Sequence, residues 1–349
     1  MKIGTAEAAA GERDSGYKPV TELPTGHDER VPVVVVNGAD PGPTLWVTGT
    51  IHGDEPTGII TIHELLATVR AEELSGALVC VPGMNPAGIR TNARTSYYHD
   101  DDPNRYFGRA NDSAPPRVQQ RIDERLYRVI SATADALVSV HTSWIATHPY
   151  AIQPRVPYGA ERSREAATEL LSELSALTDA FGFPVVNGTF QAETDPGATH
   201  NTLTGTAVAD GIPAFTPELG GRFVVDRDVC AAAVSGLQNV LHALGMTAEP
   251  VAPAEDFALG CEEPHTLVTH PHTDTAGLVR YRVTEGDPVS AGQVVAEIRT
   301  PHGERKAEVV SDHDGYVLSR YERVAVYEND PLLDIAVPDD SPRVVRAGR

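Results

Sequence analysis

Gly49-Thr50-Ile51-His52-Gly53-Asp54-Glu55-Pro56 separates two segments of different character. Before it, the apolar run Pro43-Thr44-Leu45-Trp46-Val47-Thr48 reads as a strand. After it, residues 57–70 read as a helix. A His and a Glu three residues apart therefore occupy a strand-to-helix turn. Such turns lie outside the carboxyl ends of the strands in open α/β sheets, where ligands bind. An imidazole and a carboxylate there supply two of the three protein ligands of a catalytic zinc, provided another His arrives from elsewhere.

Working outward, Val31-Pro32-Val33-Val34-Val35-Val36 reads as a strand that stops at the turn signal Asn37-Gly38. A strand over residues 77–82 follows the first helix. Residues 82–116 show no clear period, and a loop of that length inside a domain is usually functional. This one holds Asn85, Arg94, Asn104 and Arg105. Residues 117–134 are helical in pattern, Ala136-Leu137-Val138-Ser139-Val140 is an apolar strand ending at His141, and residues 160–181 form another helix. A short strand from Ile212 ends in Glu218-Leu219-Gly220-Gly221, and residues 226–245 form the last long helix. This alternation predicts an α/β fold, a mainly parallel mixed sheet with helices on both faces.

Residues 1–30 are polar and read as partly irregular, so the catalytic unit is expected over residues 1–250. Short β-type segments separated by Gly, Pro and Asp turns recur over residues 260–338, which suggests a small all-β barrel. Residues 339–349 read as a disordered tail.

Composition narrows the function. At 41% hydrophobic and 22% charged residues the chain is globular. No run reaches the roughly 20 apolar residues of a membrane span, and the N-terminus shows no apolar secretory segment. A soluble cytoplasmic protein is the expectation, with no membrane partner and with homo-oligomerisation left open. The net charge of −21, with Lys2, Lys18 and Lys306 the only lysines, argues against nucleic acid, because no basic stripe exists to neutralise phosphates. Uniform acidity of this size suggests a protein suited to high salt. Cys80, Cys230 and Cys261 form no CxxC pattern and an odd count, so neither a disulfide framework nor a Cys-rich zinc site is expected. Cys80 reads as a buried strand thiol.

His141 is the candidate third metal ligand, since it closes a strand as His52 does. Glu218 is the candidate base: it ends an apolar strand, and a carboxylate beside an activated water can take its proton and return it to a leaving amine. Arg94 suits the scissile carbonyl and its developing oxyanion. Asn104 and Arg105 suit a substrate carboxylate, which a guanidinium grips in bidentate fashion. Arg90 and Arg109 read as partners of nearby acids, and His63 as a packing or surface residue. His270, His272, His302 and His313 offer an alternative, second metal site.

The ordered set His52-Gly53-Asp54-Glu55, Asn85-Pro86, Arg94-Thr95-Ser96, Asn104-Arg105-Tyr106-Phe107, His141 and Phe215-Thr216-Pro217-Glu218-Leu219-Gly220-Gly221 resembles the succinylglutamate desuccinylase/aspartoacylase family, within the zinc carboxypeptidase-like superfamily. The resemblance runs from about residue 31 to 337 and looks closest to the branch that includes N-acetyl-diaminobutyrate deacetylases. It implies one zinc per subunit held by His52, Glu55 and His141, with Glu218 as general acid/base. It also implies that Arg94 faces the carbonyl, that Asn104 and Arg105 hold the substrate carboxylate, and that a C-terminal β module narrows access to the metal. The sequence departs from the family's usual spelling at Asp102-Pro103 and at Trp144, which bears on acyl and amine specificity. The segment 286–298 is similar to the biotinyl/lipoyl hammerhead, but the matching turn Asp314-Gly315-Tyr316 lacks the lysine that a carrier needs.

The function that follows is a zinc-dependent hydrolase of the amide bond in a small N-acyl amino acid, of acetyl or succinyl type, in which zinc activates water and Glu218 moves the proton. A metallocarboxypeptidase acting on peptides is the alternative. A non-catalytic binding protein on the same fold ranks behind both, because neither a ligand nor the base is missing.

Overall fold

The strand Asp40–Gly49 carries the His52 turn, and Leu45, Trp46 and Val47 are buried within it. It pairs in parallel with Ser75–Val81 on one side and with Ala136–Ser143 on the other. Ala136–Ser143 in turn pairs in parallel with Ala214–Gly221. These four strands therefore end at the same edge of the sheet, and His52, His141 and Glu218 lie at that edge. We describe the protein from a computed structural model covering residues 1–98, 102–108, 117–188, 201–253, 257–260, 265–321 and 324–347.

Two helical layers flank the sheet. Gly49 lies against Gly58 and Ile62 of the helix Pro56–Thr68. Trp46, three residues earlier and so on the opposite face, donates its indole N–H to Thr133 Oγ1 (3.1 Å) at the end of the helix Val118–Thr133. The helices Arg164–Phe181 and Arg227–Ala243 join the first layer, and Leu203–Asp210 joins the second.

The sheet is mixed, and parallel pairing does not dominate it as the sequence suggested. Beyond Ser75–Val81 come the antiparallel strands Asp28–Asn37 and Glu12–Glu22. Beyond Ala214–Gly221 come Tyr150–Gln153, antiparallel, then Val185–Asn187 and His265–Thr269, parallel, and then Leu333–Pro338 and Gly315–Arg320, antiparallel. The helical segments that signal parallel crossovers are clear in sequence. The close turns that add antiparallel neighbours are not.

Residues 1–30 are strand for much of their length. Glu12–Glu22 is an edge strand that buries only Val20 and Thr21, and a polar edge strand carries little apolar signal. In the C-terminal part, Val283, Val295, Ile298, Val317, Leu332 and Ile335 pack in a core of their own. Its strand His265–Thr269 nevertheless pairs with Val185–Asn187, so one sheet runs through both parts. The tail expected to be disordered is instead bound over much of its length: Val344–Arg346 pairs in parallel with Val156–Tyr158. Two valines on the pairing strand and an ion pair from Arg155 to Asp339 (2.8 Å) hold it, features too short to register as periodicity. No helix among the described residues is long and apolar enough to cross a membrane.

Candidate metal centre and active site

The turn that carries the site is tightly specified. Thr50 adopts a left-handed backbone conformation (φ 54°), costly for a β-branched residue. Its hydroxyl donates to Glu55 O (3.2 Å), and its own carbonyl accepts from Asn85 N–H (3.2 Å). The helix then starts at Pro56, where a missing N–H is no loss. Glu55 occupies the cap position but makes no side-chain capping bond, which leaves its carboxylate for the site. Gly53 packs backbone to backbone on Gly88: a Cβ at Gly53 would stand 2.0 Å from the Gly88 carbonyl carbon. Gly53→Ala is therefore expected to destabilise the metal-free protein by about 3 kcal/mol, the upper range for overpacking. Denaturant unfolding at fixed pH checks it, and a loss below about 0.5 kcal/mol would contradict the packing argument.

His52, Glu55 and His141 are all buried, and one donor atom from each lies within 4.8 Å of the other two. Glu55 binds the set together. Its Oε1 lies 2.6 Å from His52 Nδ1 and its Oε2 lies 3.1 Å from His141 Nδ1. Oε2 also accepts the backbone N–H of Thr142 (3.1 Å). The other face of His52 is occupied too, since Nε2 lies 3.1 Å from Asp102 Oδ1. Two imidazoles and a carboxylate are a donor set suited to zinc, and a carboxylate on the far nitrogen of a ligating His fixes its ring and raises its basicity. The residues present thus fit a resident zinc. Among the described residues this is the one group of its kind.

The ionisation of the set follows from its burial. Burial pulls His52 down, but Glu55 and Asp102 outweigh it and raise its pKa to about 9 in the metal-free site. Burial lowers the His141 pKa despite Glu55. Burial would raise Glu55, yet the two imidazoles hold it below the usual carboxylate range. Glu218 has no such partner. Its Oε2 is buried without a hydrogen bond, and burial together with the nearby Glu55 charge pushes its pKa up to about 8.

One cavity of ≈ 290 Å³ is lined by His52, His141, Glu218, Arg94, Asn104 and Arg105, together with an apolar wall. Every candidate site residue except Glu55, which lies beneath as the shared anion, faces this space. Glu218 and His141 are register partners on adjacent strands, which is why two separate strand ends meet there. Asn104 does more than the sequence indicated: its Oδ1 accepts Leu203 N–H (2.9 Å) and so anchors the start of the helix Leu203–Asp210 to the loop.

Asp102 is the residue that sequence reasoning missed. Beyond His52 it accepts Arg94 Nη2 (3.1 Å) and Asn104 N–H (2.9 Å), and it stands 3.7 Å from Arg105 Nη2. One carboxylate thus holds a candidate metal ligand and stands beside two of the cavity's arginines. The only sequence signal was the unusual Asp102-Pro103 spelling. Asp102→Asn is expected to weaken zinc binding about 10–100-fold. Competition with a chromogenic chelator measures it, and unchanged affinity would remove Asp102 from this role.

Arg90 pairs with the buried Glu29 (2.7 Å), and His63 is exposed. Cys80 is buried, and burial pushes its thiol up to about 12. The rings of His270, His272 and His313 cluster, but both His272 nitrogens face carbonyl oxygens, of Asn329 (2.8 Å) and Thr269 (3.1 Å), and these histidines form no metal-holding group among the described residues. Arg109 and Cys261 lie outside the described residues.

A mixed α/β sheet thus gathers, at its carboxyl edge, a buried His-Glu-His set that could hold a metal ion and a half-buried glutamate. Residues 41–244 match the succinylglutamate desuccinylase/aspartoacylase catalytic domain, and the chain belongs to that family. It is 28% identical over 336 residues to the N-alpha-acetyl-L-2,4-diaminobutyric acid deacetylase of Halomonas elongata, covering 93% of this chain and 92% of the relative. Two solved structures share the fold. One is a succinylglutamate desuccinylase/aspartoacylase from Rhodobacter sphaeroides (TM-score 0.78, 23% identity, covering 97% of this chain and 99% of that one). The other is the product-bound ectoine utilization protein EutE (DoeB) from Ruegeria pomeroyi (TM-score 0.76, 24% identity, covering 96% and 98%).

Proposed function

We propose that this protein is a zinc-dependent hydrolase that cleaves the amide bond of a small N-acyl amino acid. The observation that carries the reading is the Glu218 carboxyl, its Oε2 buried without a hydrogen bond, in the cavity that His52 and His141 of the His52–Glu55–His141 donor set line. Zinc held by these three residues supplies Lewis acidity at the scissile carbonyl and toward water. Glu218 accepts a proton from the attacking water and delivers it to the departing amine, so the two proton transfers balance. Arg94 carries charge toward the carbonyl oxygen, and Arg105 with the Asn104 amide holds the substrate carboxylate.

The cavity, at ≈ 290 Å³, lies at the small end of ligand sites, which favours a small amide over the metallocarboxypeptidase reading. The Halomonas relative is a deacetylase by name, which favours an acetyl group. Metal analysis of the purified protein should give one zinc per chain. A panel of acetyl- and succinyl-amino acids beside short peptides, assayed in high salt because of the −21 charge, should show turnover of the first class. Hydrolysis of peptides alone would overturn the proposal.

A further inference from the structure

The cavity has a third arginine in its wall, and the structure shows it already engaged. Arg155 follows the strand Tyr150–Gln153, and with Ile152, Val186, Gly188 and Leu267 it lines the side built from the strands beyond Glu218. Every nitrogen of its guanidinium is bonded. Nε donates to Gly188 O (2.9 Å), Nη1 to Ser341 O (3.2 Å) and Pro342 O (2.8 Å), and Nη2 to Asp339 Oδ2 (2.8 Å). Both members of the ion pair are buried, with side-chain exposures of 7% and 2%.

Asp339 is equally committed. Its Oδ2 also accepts the Asn187 amide (2.7 Å), and its Oδ1 accepts Ser341 N–H (3.0 Å). Burial would raise its pKa, but Asn187, Ser341 and Arg155 together hold it below the usual range, so it stays charged. The chain end is held to the same wall, since Val156 N–H donates to Arg343 O (2.9 Å) and Ala347 N–H to Tyr158 O (2.8 Å). The C-terminal segment thus delivers one negative charge to the one wall arginine and cancels it. With Ile152, Val186 and Leu267 beside it, that wall is, among the described residues, largely apolar and without net charge toward a ligand.

We propose that Asp339 is a specificity-determining residue: by neutralising Arg155 it makes the acyl side of the cavity select short uncharged acyl groups and reject those ending in a second carboxylate. The proposal rests on the N-acyl amino acid reading above for the identity of the ligand. Its charge logic is independent of that reading. A second carboxylate placed on this wall loses its water and meets a guanidinium whose charge Asp339 already balances, which is unfavourable. If Asp339 loses its charge, Nη2 of Arg155 gains capacity for a charge-assisted hydrogen bond to that carboxylate.

The test compares wild type, Asp339→Asn and Arg155→Gln. Turnover of matched acetyl- and succinyl-amino acids gives the ratio of their kcat/KM values. Calorimetric titration with acetate and succinate gives binding without turnover. Wild type should prefer the acetyl substrate. Asp339→Asn should raise the succinyl-to-acetyl ratio about tenfold and tighten succinate by a similar factor, as one new hydrogen bond to a charged group allows. Acetate binding should change by less than about threefold. Arg155→Gln leaves Asp339 alone in the wall and should lower the ratio further. A wild-type preference for succinyl substrates overturns the proposal, as does an unchanged ratio in a variant that still melts cooperatively. If Asp339→Asn does not fold, the wild-type preference and Arg155→Gln decide. If wild type hydrolyses no N-acyl amino acid, the proposed function falls while the succinate titrations still decide the role of Asp339.

Discussion

Glu218→Gln is expected to leave the protein folded and able to hold zinc while lowering kcat by about 10²–10⁴, the range for loss of a general acid/base. Glu218 Oε2 makes no hydrogen bond, so no structural partner is abandoned when the oxygen becomes an amide nitrogen. In the metal-free site burial and the nearby Glu55 charge raise the Glu218 pKa to about 8, so a neutral isostere suits the metal-free fold. The isosteric amide costs at most about 1–3 kcal/mol if its N–H groups find no acceptor. Only the capacity to exchange a proton is lost. The metal content of the variant should equal that of wild type, and KM should move little, since Arg94, Asn104 and Arg105 are untouched. A variant with wild-type kcat would end the assignment of Glu218 as the base.

The parts of this site that the sequence made legible share one property. His141 and Glu218 lie in the last part of the strands Ala136–Ser143 and Ala214–Gly221 and His52 just beyond Asp40–Gly49, and an apolar run that gives way abruptly to a polar residue is visible without a structure. Their meeting follows from parallel pairing of neighbouring strands, which the intervening helices announce. Asp102, Arg155 and Asp339 were not legible in the same way. Asp102 acts through bonds to residues 50 and 8 positions away, and Asp339 through a bond to a residue 184 positions away. Such pairings depend on tertiary placement, and no local period encodes them. The edge strand Glu12–Glu22 was missed for a related reason: only one face is covered, and for most of its length the pattern of exposure leaves few apolar residues to count.

The contrast between the proposed proton carrier and a proposed metal ligand is sharpest at Glu55. Glu55→Ala is expected to abolish zinc retention on dialysis that leaves wild type loaded, and to reduce turnover to background, because a three-ligand site becomes two imidazoles. The metal-free protein should suffer as well. Glu55 is 1% exposed and its two oxygens face His52, His141, Thr142 N–H and, at 3.5 Å, Arg94. Removing it leaves buried groups without their shared anion, a type of loss that costs about 3–5 kcal/mol. The pH dependence fixes the cause. The His52 pKa is raised from about 6.5 to about 9 by Glu55 and Asp102 against the effect of burial. A raised pKa contributes stability that is fully present below the unfolded value and is lost as pH rises through the folded value. The cost of Glu55→Ala should therefore be larger at pH 6 than at pH 9.5, measured by denaturant unfolding of the metal-free proteins. Over the same window zinc must displace the His52 proton, so its apparent affinity for wild type should rise with pH. A cost at pH 9.5 equal to that at pH 6 would mean that Glu55 stabilises the fold through its bond to Thr142 and not through the imidazoles.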